Sequence, residues 1–109
     1  MEGFWTVQFT GVQGLGCGVI TLMKGQVFGG DSSFLYSGTY GQNGSVLHAH
    51  VHVKRYAPGL QSVMGRDEFE LELTGSRQGG TINATGTVPG TPFRLEATLT
   101  KRSQLPARI

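Results

Sequence analysis

A chain of 109 residues with 18 glycines, 4 prolines and one cysteine has room for a single compact core, which excludes a second domain and an internal disulfide framework. The net charge is +2 and the basic residues are scattered, apart from Lys101, Arg102 and Arg108 near the end. That distribution excludes the clustered basic face that direct nucleic-acid binding needs.

Glycine, threonine and valine are plentiful, which favours short strands joined by tight turns, so the fold class is all-β. Period-two alternation of apolar and polar residues predicts eight strands, over 3–10, 15–23, 26–30, 33–41, 45–56, 67–75, 80–88 and 92–102.

The first strand follows Glu2 without a basic or long apolar lead, which does not read as a secretory signal. No stretch approaches the roughly 20 apolar residues of a spanning helix. A soluble, cytoplasmic protein without membrane contact is therefore expected. Between the first two strands, Gly11-Val12-Gln13-Gly14-Leu15-Gly16 looks like a phosphate loop, but no helix follows to present amides, so it is read as a hairpin connection. Cys17 reads as a small apolar strand residue, and Gly16, Gly18, Gly38 and Gly86 fall inside strands, where they are expected to shape curvature. The third strand runs into Gly29-Gly30-Asp31-Ser32. Two glycines before an aspartate suit a tight hairpin with positive φ, the carboxylate capping nearby amides.

The remaining turns make the register testable. A two-residue turn at Asn43-Gly44 sets Tyr40 opposite Leu47, Gly38 opposite Ala49, Tyr36 opposite Val51 and Phe34 opposite Val53. Across SRQGG the same parity pairs Leu73 with Ile82 and Leu71 with Ala84, and across PGTP it pairs Val88 with Phe93 and Ala84 with Ala97. Strands five and six, joined by APGLQSVMGR, set Val53, Val51 and Ala49 opposite Phe69, Leu71 and Leu73. Within that connection, LQSVMG at 60–65 has the spacing of one helical turn.

All these pairs agree on one apolar face. With no helix to cover it, an up-and-down meander buries that face by closing into an eight-stranded antiparallel barrel over 1–102, leaving a flexible tail at 103–109. Such a barrel is either filled by side chains or holds one small ligand. The inward Phe9, Phe34, Tyr36, Tyr40 and Phe93 predict a small or absent cavity.

Gly3-Phe4-Trp5 resembles the G-x-W signature of lipocalins and other calycins. The resemblance implies that Trp5 plugs the closed end of the barrel beside Gly3, with Lys101 or Arg102 of the last strand laid across the indole. A wider resemblance is carried by GFWTVQF, GCGVITLMKGQVFGGDSSFLYSGTY and HAHVHVKRY, which are similar to the GrlR-like negative regulators of type III secretion. It implies a bacterial lipocalin-like barrel that forms a homodimer and restrains a transcriptional activator by binding it. The Gly29-Gly30-Asp31-Ser32 turn is its most distinctive piece. The founding family member carries an acidic loop after the fourth strand, whereas the equivalent GQNGS at 41–45 has no charge, so the fold carries over better than the partner does.

All three histidines lie in HAHVH. With Leu47, Ala49, Val51 and Val53 inward, His48, His50, His52 and Lys54 face outward, and the register sets Lys54, His52 and His50 beside Glu68, Glu70 and Glu72. The plain reading is a cross-strand ladder. A second is a contact patch with Ser37 or Leu35 on which two barrels pair in a pH-responsive way. A metal site ranks last, because three ligands in line do not reach one tetrahedral ion.

No nucleophile and base, Walker-type loop or paired carboxylates share an inward site, so neither enzymatic activity nor a cofactor is expected. The sequence therefore favours a small regulatory protein acting through protein partners. The alternative is a carrier of a small hydrophobic ligand in the barrel.

Overall fold

The structure is a computed structural model that describes residues 1–11, 14–58 and 66–106. Eight strands follow in chain order: β1 (Gly3–Gly11), β2 (Gly14–Met23), β3 (Gln26–Gly30), β4 (Phe34–Asn43), β5 (Val46–Arg55), β6 (Glu68–Gln78), β7 (Thr81–Thr87) and β8 (Arg94–Ser103). Each pairs antiparallel with its neighbours in sequence, and β8 returns to β1, so the sheet is a closed up-and-down barrel. Closure leaves no edge strand exposed, which is how one apolar face is buried without a helix. The LQSVMG turn at 60–65 lies outside the described residues.

Burial follows the alternation. Along β6, Phe69 and Leu71 are buried while Glu68, Glu70 and Glu72 between them are exposed. Across the longest connection the register is the predicted one: Val53 faces Phe69, Val51 faces Leu71 and Ala49 faces Leu73. Ala84 faces Ala97, and the Val88 amide donates to the Phe93 carbonyl at 3.2 Å, also as predicted.

Two hairpins slip. Asn43 pairs with Val46, so the turn is Gly44-Ser45 and not Asn43-Gly44; Tyr40 then faces Ala49, Gly38 faces Val51, Tyr36 faces Val53 and Phe34 faces Arg55. Gly44 takes φ 62° at the first turn position, the conformation that glycine followed by another residue satisfies. In the SRQGG hairpin β6 runs on to Gln78, which pairs with Thr81, so Leu73 faces Gly86 and Ala84 faces Gly75. Both slips are by an even number, so each side chain keeps its face and the core is unchanged.

Tight turns at Lys24-Gly25, Gly44-Ser45 and Gly79-Gly80 gather at one end of the barrel. That end is closed from within by Trp5, Leu22 and Ile82, the largest fully buried side chains. The opposite end carries the 31–33 and 88–93 connections, and there the chain leaves β5 and enters β6. Val27 joins the inward aliphatic residues read from the sequence.

Candidate functional site

The barrel is not filled. A cavity of about 330 Å³ runs through its middle, lined by Val7, Phe9, Leu22, Leu95, Leu99 and other apolar side chains. This corrects the expectation that the aromatic residues leave little or no space. Phe9, Tyr36, Tyr40 and Phe93 are only partly buried, and they share the interior with small residues. Gly16, Ala49, Ala84 and Ala97 all line the cavity and leave it open. Phe9 and Tyr36 meet edge to face, with ring centroids 6.4 Å apart.

Besides Cys17 and the Tyr40 hydroxyl, polar groups enter this lining where β3 passes into β4. Asp31, Ser32, Ser33 and Tyr36 border the cavity there. One Asp31 carboxylate oxygen accepts the amides of Ser33 at 2.9 Å and Phe34 at 2.8 Å. The other accepts the Tyr36 hydroxyl. The Asp31 amide donates to the Phe34 carbonyl at 3.0 Å, and its carbonyl accepts the Tyr56 hydroxyl at 2.7 Å. The segment is thus tied down through both the backbone and the side chain of one residue. Burial, and then the bond to Asp31, pushes the Tyr36 hydroxyl well above the usual phenol range, so the ring stays protonated.

The glycines before Asp31 have a different cause from the one read in the sequence. Neither Gly29 nor Gly30 has a positive φ; both are strand residues of β3. A Cβ at Gly29 would run into the Val19 carbonyl and the Ile20 Cα of β2, and one at Gly30 into the Phe34 carbonyl. Close backbone approach explains them. Gly18 serves the cavity in the same way, because a Cβ there would lie 2.9 Å from the Tyr36 hydroxyl oxygen.

At the closed end, Trp5 is 1% exposed and its indole N–H donates to the Met1 carbonyl at 3.0 Å. Lys101 pairs with Trp5 across β1 and β8, and its Cε would sit 2.7 Å from a Cβ on Gly3, so Gly3, Trp5 and Lys101 do meet. The cation over the indole is neither Lys101 nor Arg102. It is Arg77 of β6, whose guanidinium carbon lies 5.9 Å from the ring centroid. Arg102 faces outward and donates to the Thr6 hydroxyl at 2.9 Å. The parity that set Lys101 beside Trp5 holds, and the shift in the β1–β8 pairing falls beyond that pair, between Phe4 and Trp5; the guanidinium over the ring comes from another strand.

On the outside, the backbone sets Lys54, His52 and His50 beside Glu68, Glu70 and Glu72. The side chains lean one step along the strand. His52 Nε2 meets Glu68 at 2.7 Å, His50 Nε2 meets Glu70 at 2.8 Å, and His50 Nδ1 is 3.6 Å from Glu72. The sheet's twist brings such diagonal neighbours within reach of long side chains. His48 stands apart from the acids, its Nδ1 3.4 Å from the Thr74 hydroxyl. Among the described residues no group of three His, Cys, Asp or Glu side chains converges on a metal position.

Apart from Ser37 and Leu35, the outer face of β1 to β4 was not singled out by the sequence reading. None of these four strands contains an Asp, Glu, Lys or Arg. Phe4, Thr21, Phe28 and Ser37 form one lateral row that continues into His52 and Glu70. Beside it run Thr6, Val19, Gly30 and Leu35, continuing into Lys54 and Glu68. Val19 is 59% exposed, Leu35 54% and Phe28 45%, with Phe4 and Met23 at the margin. The same parity that points Ile20, Leu22 and Val27 inward points Val19 and Phe28 outward, so the signal was present in the alternation. Cys17 of β2 is free and exposed. No protein-family model and no curated protein matches the chain.

Proposed function

We propose that this chain is a small regulatory binding protein that works as a homodimer, two barrels pairing through the outer face of β1 to β4 and the pair sequestering a protein partner. The observation that carries the reading is the uncharged half-barrel with Val19, Phe28 and Leu35 exposed at its centre. Interface centres are depleted of charge and rich in aromatic side chains, and contiguous exposed apolar surface marks contact sites. A second copy is the occupant that fits. In a twofold pairing the patch meets itself, which demands that its centre carry no like charges, and the charged side chains of β5, β6 and β8 stand at its margins, Arg102 at Thr6 and Lys54 beside Leu35. The resemblance to GrlR-like negative regulators of type III secretion supports the same reading and suggests a transcriptional activator as the partner.

Light scattering tests it directly. The parent chain should show twice its 11.7 kDa, and Phe28→Glu should show the single mass with an unchanged far-ultraviolet spectrum. A monomeric parent overturns the homodimer. Deleting the gene should raise transcription of a target gene set, and unchanged transcripts overturn the regulatory role.

A second reading is favoured by a separate observation. The cavity, at about 330 Å³, falls at the lower end of the range for small-ligand pockets, roughly 300–1,000 Å³. We infer from it a carrier or sensor of a small apolar molecule, which is compatible with a regulator whose partner binding responds to that ligand.

A further inference from the structure

The carrier reading leaves the ligand's chemistry open, and the cavity wall narrows it. We propose that the barrel selects an aliphatic alcohol or amine and discriminates against the carboxylate of the same chain length, through a Tyr36 hydroxyl that Asp31 locks as a hydrogen-bond acceptor. The inference rests on the cavity being a ligand site.

Three observations carry it. First, the described residues that line the cavity include the carboxylate of Asp31 but no Lys, Arg or His, so nothing there neutralises an incoming anion. Second, the Tyr36 hydroxyl donates its one proton to Asp31. With that proton committed, the oxygen retains only lone pairs, so a ligand group that meets it must be a donor. Third, the lock cannot turn. The other Asp31 oxygen is held by the Ser33 and Phe34 amides, and the backbone of Asp31 is fixed by Phe34 and Tyr56. For Tyr36 to offer its proton to a carboxylate ligand, Asp31 would have to surrender a hydrogen bond inside an apolar wall, where an unpaired polar group is costly.

The rest of the lining sets the ligand's other end. Val7, Phe9, Leu95 and Leu99 offer no polar atom on their side chains, so an alkyl tail is the complement. The volume of about 330 Å³ is on the order of ten water volumes, which suits a tail of medium length rather than a membrane lipid. A hydroxyl or ammonium on such a tail donates to Tyr36 and lies near the Asp31 charge. A carboxylate brings a second negative charge to a site of low dielectric with no cation to meet it.

The experiment is a titration of the isotope-labelled chain at neutral pH, read from the methyl resonances of Ala84, Leu95, Ala97 and Leu99. Octanol, octylammonium and octanoate are compared, with cyclohexane as a probe that has no head group. Octanol and octylammonium should bind at least about tenfold more tightly than octanoate. Tyr36→Phe keeps the ring in the Gly18 recess but removes the acceptor, and should bring octanol down towards octanoate while octylammonium, which still faces the Asp31 charge, falls less and cyclohexane still binds. Asp31→Asn retains an oxygen for the turn amides and frees the tyrosine proton, so it should improve octanoate relative to octanol. If cyclohexane shifts the methyls but octanoate binds as well as octanol, the selectivity proposal is overturned and the carrier reading stands. If no probe shifts them, both fall.

Discussion

Tyr36 shows how one side chain ties stability to the cavity. Its hydroxyl is raised above the usual phenol range by burial first and by Asp31 second. Below about pH 10 folded and unfolded chains both hold the phenol proton, and this group contributes no pH dependence. Above that, the unfolded chain releases the proton and the folded one keeps it, so stability falls as pH rises. Removing the hydroxyl removes that loss. The stability deficit of Tyr36→Phe relative to the parent, measured by urea unfolding, should therefore shrink from mildly to strongly alkaline solution. Two glycines make a second contrast at this scale. Gly44 has nothing within 4 Å of where a Cβ would lie, so Gly44→Ala costs only the backbone penalty of φ 62°, about 1 kcal/mol. Gly29→Ala drives a methyl into the backbone of β2, and should cost about 1–3 kcal/mol or more by the same unfolding measurement. Both glycines were legible as punctuation, yet their causes differ, because contact with a neighbouring strand is invisible until the strands are paired.

Among the elements, β5 and β6 were the most legible in the sequence. An unbroken alternation on both strands left only one parity that buries Val51, Val53, Phe69 and Leu71 together, and that pairing is the one observed. The ladder outside followed from it down to the neighbouring backbone positions, but not to the side chains that touch. Which carboxylate each imidazole reaches depends on local twist, and twist is not written in a period of two. The His50 and Glu70 side chains are each about half exposed. A double-mutant cycle on His52 and Glu68, or on His50 and Glu70, should return a coupling of no more than about 1 kcal/mol that weakens with added salt. A larger coupling would mean that the row is covered in the assembled state. The two slipped hairpins mark the opposite limit: turn residues name where the chain reverses only to within a step or two when Gly, Asn and Ser stand side by side, as at 43–45.

For the whole molecule, the decisive feature is the unequal halves. Charge is confined to β5, β6 and β8, while β1 to β4 and β7 carry none. Among the described residues no helix is long and apolar enough to cross a membrane. If the uncharged half is a dimer face, association driven by apolar burial should be insensitive to salt and to the His50–Glu70 pair. Sedimentation at low and high ionic strength should then give one dissociation constant within about threefold. Dissociation at high salt would instead place the contact on the β5–β6 ladder.

Alternation, turn residues and the absence of any helical period determined the class, the eight strands, their order and the inward face, because a period of two admits one buried side and a meander without a cover must close. Two things were decided only by tertiary structure. One is the cavity, since whether Phe9, Tyr36, Tyr40 and Phe93 fill a barrel depends on the small residues that closure sets against them. The other is the joining of residues distant in sequence: Arg77 over Trp5, and Tyr56 on Asp31. Those meetings arise from shear, bulges and the curvature of the closed sheet, which exist only once all eight strands are in place.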